Sequence, residues 1–259
     1  MRIDEELQKE LRESFNPDGS ELRMNQLRIL DILKFVDKIC RENNIRYWIS
    51  SGTLLGAVRH SGFIPWDDDV DIEMLRDDYI RFNYILPQYL PEYYKLQNHA
   101  TDKNYFLPFA KVRDERYPIK EVLDFDRRYK YHGVFIDVFC LEKGNMILSI
   151  ISKMLHQKLC VSRACYGATP AIYLQIIYFL LTHTLYPVFR WISNLFSSTK
   201  LFHTYGTGFH KCRYEEDLFP LIELQFEGVS FYAPHNYDHY LEKIYGDYLC
   251  LPKVKNSHF

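Results

Sequence analysis

The sequence predicts an α+β protein, a mixed β-sheet flanked by helices with an additional apolar helical segment. Three observations carry this expectation. Apolar residues recur at helical spacing between about residues 21 and 42, and a short apolar run from Gly133 to Leu141 reads as a central strand. The 26 residues from Ala164 to Phe189 carry no formal charge.

Asn16, Pro17, Asp18 and Gly19 form a turn signal. After it, Ile29, Ile32, Leu33, Val36, Ile39 and Cys40 mark one face of a helix over 21–42. Tyr47, Trp48 and Ile49 have strand composition, and Gly52 ends that run with a tight turn into a short helix carrying Leu54, Leu55 and Val58. The next strand is expected from Asp69 to Met74. Asp77 and Asp78 suit a helix N-terminus, and the amphipathic stretch from Tyr79 stops at Pro87.

Further strands are expected at Phe109–Arg113 and Gly133–Leu141, the latter apolar around one acid, Asp137, as in a strand covered on both faces. The uncharged stretch 164–189 is long enough to cross a membrane. However, Gln175, Thr182, His183, Thr184 and Pro187 interrupt it, and Arg163 and Arg190 flank it, so buried or membrane-surface helices are the favoured reading over a span. Tyr237, Tyr240, Leu241, Ile244 and Tyr245 form a last helical stripe closed by Gly246. The chain divides into a core at 1–145, an apolar helical insertion at 146–205 and a C-terminal part of the same domain at 206–259.

With 47% hydrophobic residues among 259, the chain can bury a sizeable core and is not a disordered segment. Thirty-two Lys plus Arg against 34 Asp plus Glu leave no basic field to attract nucleic acid. Six scattered cysteines show no zinc spacing and read as free thiols in a reducing compartment. The charged N-terminal stretch lacks a signal-peptide core, so the expected location is the cytoplasm.

Against that neutral background, Asp67, Asp68, Asp69 and Asp71 crowd four carboxylates into five positions. On a strand, Asp69 and Asp71 share one face while Val70 and Ile72 enter the core. Like charges that close raise each other's pKa unless a cation intervenes, and oxygen-only ligands point to Mg²⁺ or Mn²⁺. A calcium loop would place Asp67, Asp69 and Asp71 at its first, third and fifth positions, but Ile72 occupies the position where its sharp turn requires glycine. A solvated acidic turn is the other reading, and the apolar Ile64, Trp66, Val70 and Ile72 on either side fit it poorly. Upstream, the Gly52-Thr53 turn offers backbone amides and a hydroxyl to a phosphate at a helix N-terminus. Trp66 reads as a core residue, and Arg127, Arg128 and His132 as ordinary surface.

The run from Gly52 to Gly56, Arg59-His60 and Gly62-Phe63-Ile64-Pro65-Trp66-Asp67-Asp68-Asp69-Val70-Asp71 resembles the signature of the LicD family. Phe106–Asp114, Gly133–Phe139, Tyr237–Leu241 and Tyr245–Asp247 extend the resemblance along most of the chain. That family includes phosphocholine transferases and is related to fukutin-type phosphoribitol transferases. The resemblance implies a nucleotidyltransferase-like fold, with Asp69 and Asp71 facing a third acid, Asp137, around one or two metal ions. It further implies transfer of a phospho-alcohol from a CDP-linked donor, CDP-choline or CDP-ribitol, to a glycan or glycolipid hydroxyl, releasing CMP.

Asp67 or one of the other acids would accept the acceptor's proton. Arg59, His60, Lys111 and Arg113, with Gly52 and Thr53, are the candidate phosphate contacts. Action at the cytoplasmic membrane face, with peripheral membrane contact through Arg163, Arg190 and Lys200, fits a lipid-borne acceptor. An NTP-using nucleotidyltransferase and a non-catalytic scaffold of the same fold are the alternatives. Three departures concern the family pattern: Ser51 where relatives often carry glycine, Cys140 in place of a proline, and a tail at Lys253–His258 that matches in part.

Overall fold

The structure, a computed structural model, describes residues 4–119, 128–165, 171–195, 200–209 and 211–251. Arg127, positions 166–170 of the uncharged stretch and the tail Lys253–His258 lie outside the described residues. The fold is α+β, as expected, around a seven-stranded mixed sheet. Its strands are β1 (Trp48–Ile49), β2 (Asp71–Leu75), β3 (Tyr94–Gln97), β4 (Ala110–Pro118), β5 (Gly133–Lys143), β6 (Lys200–His203) and β7 (Arg213–Tyr214).

The order β1-β2-β5-β4-β3 puts β5 at the centre, with β6 pairing the end of β5 beyond β4 and β7 pairing β6. β2 and β5 run parallel, and the other pairs are antiparallel.

Strand alternation makes this sheet two-faced. Ile72, Met74, Val112, Ile136 and Val138 are fully buried and join a core with Ile29, Leu33 and Val36 of helix α2 (Glu21–Glu42) and Phe82 of α4 (Arg76–Ile85). Asp71, Glu73, Lys111, Arg113 and Asp137 alternate with them and face the other way, with Phe135 and Phe139 of β5 among them. One face therefore forms the apolar core, and the other carries the charged side chains.

Helix α2 starts where Ser20 accepts a hydrogen bond from the Arg23 amide. The short helix after the glycine turn is α3 (Ser51–His60). β2 starts at Asp71, later than the expected Asp69, although the Asp137 amide donates to the Val70 carbonyl at 2.8 Å and carries the ladder one residue further back. β4 runs on to Pro118, past the expected Arg113, because an irregularity between Asp114 and Pro118 lets it keep pairing with β5.

The sequence pattern did not announce α1 (Glu5–Phe15), β3, or the hairpin of β8 (Ile222–Phe226) and β9 (Val229–Ala233). That hairpin turns on Glu227 and Gly228, both at positive φ, and Glu is an unusual first residue for such a turn. A one-turn helix α8 (Glu215–Leu218) precedes that hairpin, and helix α9 (Tyr237–Tyr245) ends at Gly246, as its apolar stripe predicts.

After β5 the chain leaves the sheet as α5 (Met146–Cys165) and α6 (Ala171–Leu180), which runs through a π-turn at Leu181–Leu185 into α7 (Tyr186–Leu195). Leu159, Leu174, Leu181, Tyr186 and Phe189 build a second apolar cluster with Phe106 and Tyr205. The insertion is thus packed along one side onto the body. Cys40, Cys140, Cys160, Cys212 and Cys250 are free thiols.

Candidate active site

In the parallel β2–β5 register Asp71 stands beside Asp137. Across β5, antiparallel β4 places Lys111 opposite Asp137, and β3 adds Gln97 opposite Lys111. One row across four strands reads Asp71, Asp137, Lys111, Gln97. Lys111 Nζ lies 2.7 Å from Asp137 Oδ1 and 3.2 Å from the centre of the Phe135 ring, so the ammonium is held by a carboxylate and an aromatic face together.

The loop before β2 supplies the remaining acids, with Asp67 and Asp69 half-buried and Asp68 exposed. Gly52, in the first turn of α3, approaches Asp67 so closely that a Cβ there would stand 2.8 Å from Asp67 Oδ2. Any larger residue would move that carboxylate. Thr53 Oγ1 accepts a hydrogen bond of 2.8 Å from the Asp71 amide, which pins the start of β2 to the helix. Ser51 sits at φ +47°, a left-handed conformation that glycine adopts without strain.

Burial raises the Asp69 carboxyl well above its usual range, and Asp67 and Asp137 raise it further while Lys111 pulls it down. Asp71 is raised by burial, then by Asp69 and Asp137. Asp67 is raised by burial and by Asp68. Each carboxylate makes its neighbours harder to ionise.

Among the described residues, no group of three or more His, Cys, Asp or Glu side chains is arranged to hold a metal ion as it stands. The donor chemistry nonetheless fits Mg²⁺ or Mn²⁺. Asp69, Asp71 and Asp137 offer carboxylate oxygen alone, and a divalent cation relieves the repulsion that raises Asp69 and Asp71. The calcium-loop alternative fails, since Ile72 is a fully buried residue within β2.

The other candidate contacts are placed differently. Arg59 is buried, donating to the Tyr248 carbonyl at 3.1 Å and to His60 Nε2 at 2.9 Å. His60 is also buried, with its Nδ1 2.6 Å from Gln8 Oε1. Arg113, fully buried, donates to Gln97 and to the Gly133 carbonyl. These three side chains are committed to holding α1, α3, the C-terminal segment and the sheet together. Trp66 packs edge-on against Phe15.

Two residues escaped the sequence analysis. Glu73, two positions beyond Asp71 on the same strand face, is fully buried and accepts from Trp48 Nε1 at 3.0 Å, an Arg213 guanidinium nitrogen at 3.0 Å and the Tyr240 hydroxyl at 2.8 Å. His203 Nε2 is 3.0 Å away as well. Burial alone would raise this carboxyl, but Arg213, His203 and Tyr240 together hold it down to about 2. Its period-two spacing from Asp71 was the available signal.

Tyr245, at the end of α9, keeps part of its surface exposed; burial of the rest, then Asp71 and Asp67, push its phenol up, so it stays protonated. No local pattern in the sequence connects it to residues 170 or more positions upstream.

A two-faced mixed sheet with two acids paired across a parallel junction, and a glycine-led helix against another, gathers carboxylates and a lysine as a group-transfer site requires. Residues 44–157 match the family described as LicD/FKTN/FKRP, nucleotidyltransferase domain. Over 262 aligned residues the chain is 31% identical to the lipopolysaccharide cholinephosphotransferase LicD of Haemophilus influenzae, covering 91% of this chain and 94% of that one. A shorter stretch of 45 residues is 42% identical to the human ribitol 5-phosphate transferase FKRP, 17% of this chain and 9% of that protein. An uncharacterized protein of Rickettsia typhi is 47% identical over 72 residues, 28% of this chain and 23% of its own length. The protein belongs to the LicD family and is a phosphotransferase of that type.

Proposed function

We propose that this enzyme transfers phosphocholine from a CDP-linked donor to a hydroxyl of a cell-surface glycan or its lipid-linked precursor, releasing CMP. The observation that carries this reading is the row Asp71, Asp137, Lys111 beside the raised carboxylate of Asp69. Phosphocholine is favoured over phosphoribitol because the likeness to the cholinephosphotransferase spans nearly the whole chain, whereas that to FKRP covers 45 residues.

Asp69, Asp71 and Asp137 would hold Mg²⁺ or Mn²⁺, which when bound neutralises the diphosphate and its leaving group. Lys111, fixed between Asp137 and Phe135, supplies a point charge for a phosphoryl oxygen. The first turn of α3, at Gly52 and Thr53, presents amides at a helix N-terminus. Asp67 is the acid placed outside the strand row, against Gly52, and serves to accept the proton of the acceptor hydroxyl. Tyr245 adds a hydroxyl donor at the rim. Arg59, His60 and Arg113 act indirectly, by fixing α3 and β4.

The acceptor is met at the cytoplasmic face of the membrane. The test is CMP release from CDP-choline, CDP-ribitol and CDP-glycerol with Mg²⁺ or Mn²⁺, with calorimetric binding of Mn²⁺ in parallel. Release from CDP-choline that disappears in Asp137→Asn is the expected result. Pyrophosphate release from an NTP would replace this reading with a nucleotidyltransferase, and binding of neither metal nor cytidine diphosphate ligand would leave a scaffold.

A further inference from the structure

We infer that α5 and the α6–α7 run form one lipid-facing surface that seats the enzyme flat on an anionic bilayer without crossing it. The inference deepens the proposed function only by saying how the enzyme meets a lipid-borne acceptor, and it is measured without any transfer reaction.

Exposed apolar side chains are not spread evenly over the molecule. Of the 22 large hydrophobic residues exposed among the described residues, 13 lie between Met146 and Leu195. On α5, Ile147, Ile151 and Met154 follow one another at helical spacing and the stripe continues into Lys158. Along α6 and α7, Tyr173, Ile176, Leu180, Val188, Trp191 and Leu195 form a second stripe that the π-turn keeps in phase. At 1.5 Å per residue that run is about 36 Å long.

The opposite side of the run is occupied. Leu174, Leu181, Tyr186 and Phe189 are packed against Phe106, Leu159 and Tyr205. Ile172–Leu195 is long and apolar enough to cross a membrane by length and composition. Crossing would strip that packed side from the body and expose the buried His156, whose Nδ1 lies 3.0 Å from the Tyr186 hydroxyl, to lipid. Lying in the interface buries the outer stripe and keeps the inner contacts.

Charge identifies the occupant. Between Glu142 and Glu215 the chain has no Asp or Glu, although it carries 34 acids in all, while Lys143, Lys153, Lys158, Arg163 and Lys200 fall in the same interval; Arg190, also there, is paired with Glu142. An apolar surface set in acid-free, cationic sequence matches anionic headgroups. A protein partner would not require acids to be absent over such a length.

The experiment is vesicle flotation of the full chain with phosphatidylglycerol–phosphatidylcholine and with phosphatidylcholine alone. Strong binding to the anionic vesicles, reduced at least about tenfold in the double variant Ile176→Glu/Trp191→Glu, is expected; both positions are solvent-facing, so the fold is retained and its thermal midpoint serves as control. Depth is read by brominated-lipid quenching of the native Trp191 and of Leu180→Trp in a Trp191→Phe background. Equal, shallow depths support seating in the plane. A much deeper position for the tryptophan at 180 means a span and overturns the inference. Absence of vesicle binding, with a dimer in solution that the double variant dissociates, assigns the surface to a second copy and overturns it as well. Failure of the unaltered chain to bind anionic vesicles while it still releases CMP from the donor would overturn this inference and leave the proposed function standing.

Discussion

Asp71 and Glu73 stand two residues apart on one face of β2, and the molecule treats them in opposite ways. Glu73 receives Trp48, Arg213, His203 and Tyr240 and is held down to about 2. Asp71 has burial and the acids Asp69 and Asp137 around it and is raised. A carboxylate on this sheet becomes structural or reactive according to whether donors or other carboxylates surround it. The satisfied acid ties β1, β2, β6, β7 and α9 together, whereas Asp71 is left beside acids that repel it.

The largest test of that contrast is to remove a repelling acid. Asp71→Asn and Asp137→Asn should each lower CMP release by about 10³-fold; Asp71→Asn should leave the thermal midpoint unchanged or raised, because a like charge has gone, whereas Asp137→Asn also takes the counter-charge from Lys111 and should lower it. Substituting the satisfied acid should do the reverse. Glu73→Ala strands four buried donors and should cost about 3–5 kcal/mol in a denaturant titration. If Glu73→Ala were neutral for stability, the distinction drawn between the two carboxylates would be lost.

Lys111→Met removes the cation from the reactive row, and a loss of about 10- to 100-fold in kcat/KM for the donor is expected from deleting one charge-assisted contact. Gly52→Ala asks less of the fold, since the atom in its way is the end of the Asp67 side chain. It should cost under about 1 kcal/mol of stability while lowering turnover several-fold, as a displaced proton acceptor would.

The smallest effect concerns His60. Burial first, then Arg59 and Arg12, lower its pKa to about 3, so the folded protein keeps it neutral. The unfolded chain takes up a proton near the ordinary value of about 6.5. Stability from this residue is therefore complete above that pH and declines as pH falls from about 6.5 toward 3. His60→Gln should flatten the drop in melting temperature between neutral pH and pH about 5.5.

Much of this was legible in advance where the signal is local. Period-two alternation around Asp71 and the apolar run around Asp137 placed two strands and their acids, and the α2 and α9 stripes placed two helices. Glu73 was passed over because a lone Glu in an apolar strand does not reveal its partners, which lie 25 to 167 residues away. Arg59 and His60 invited a phosphate-binding reading because charge is visible in a sequence and burial is not. The hairpin at Glu227-Gly228 escaped because its first turn residue carries no turn signature.

Which residue types could do chemistry, how they alternate and which family signature they make are set by neighbours along the chain, and so are readable from it directly. Only the packing of distant segments put Asp71 in parallel register with Asp137, gave Lys111 to Asp137 and Arg113 to the sheet, and surrounded the ionised Glu73 with four donors. Those outcomes depend on distances between segments remote in sequence, and the energy of a buried charge is set by whatever such segments bring within a few ångströms of it.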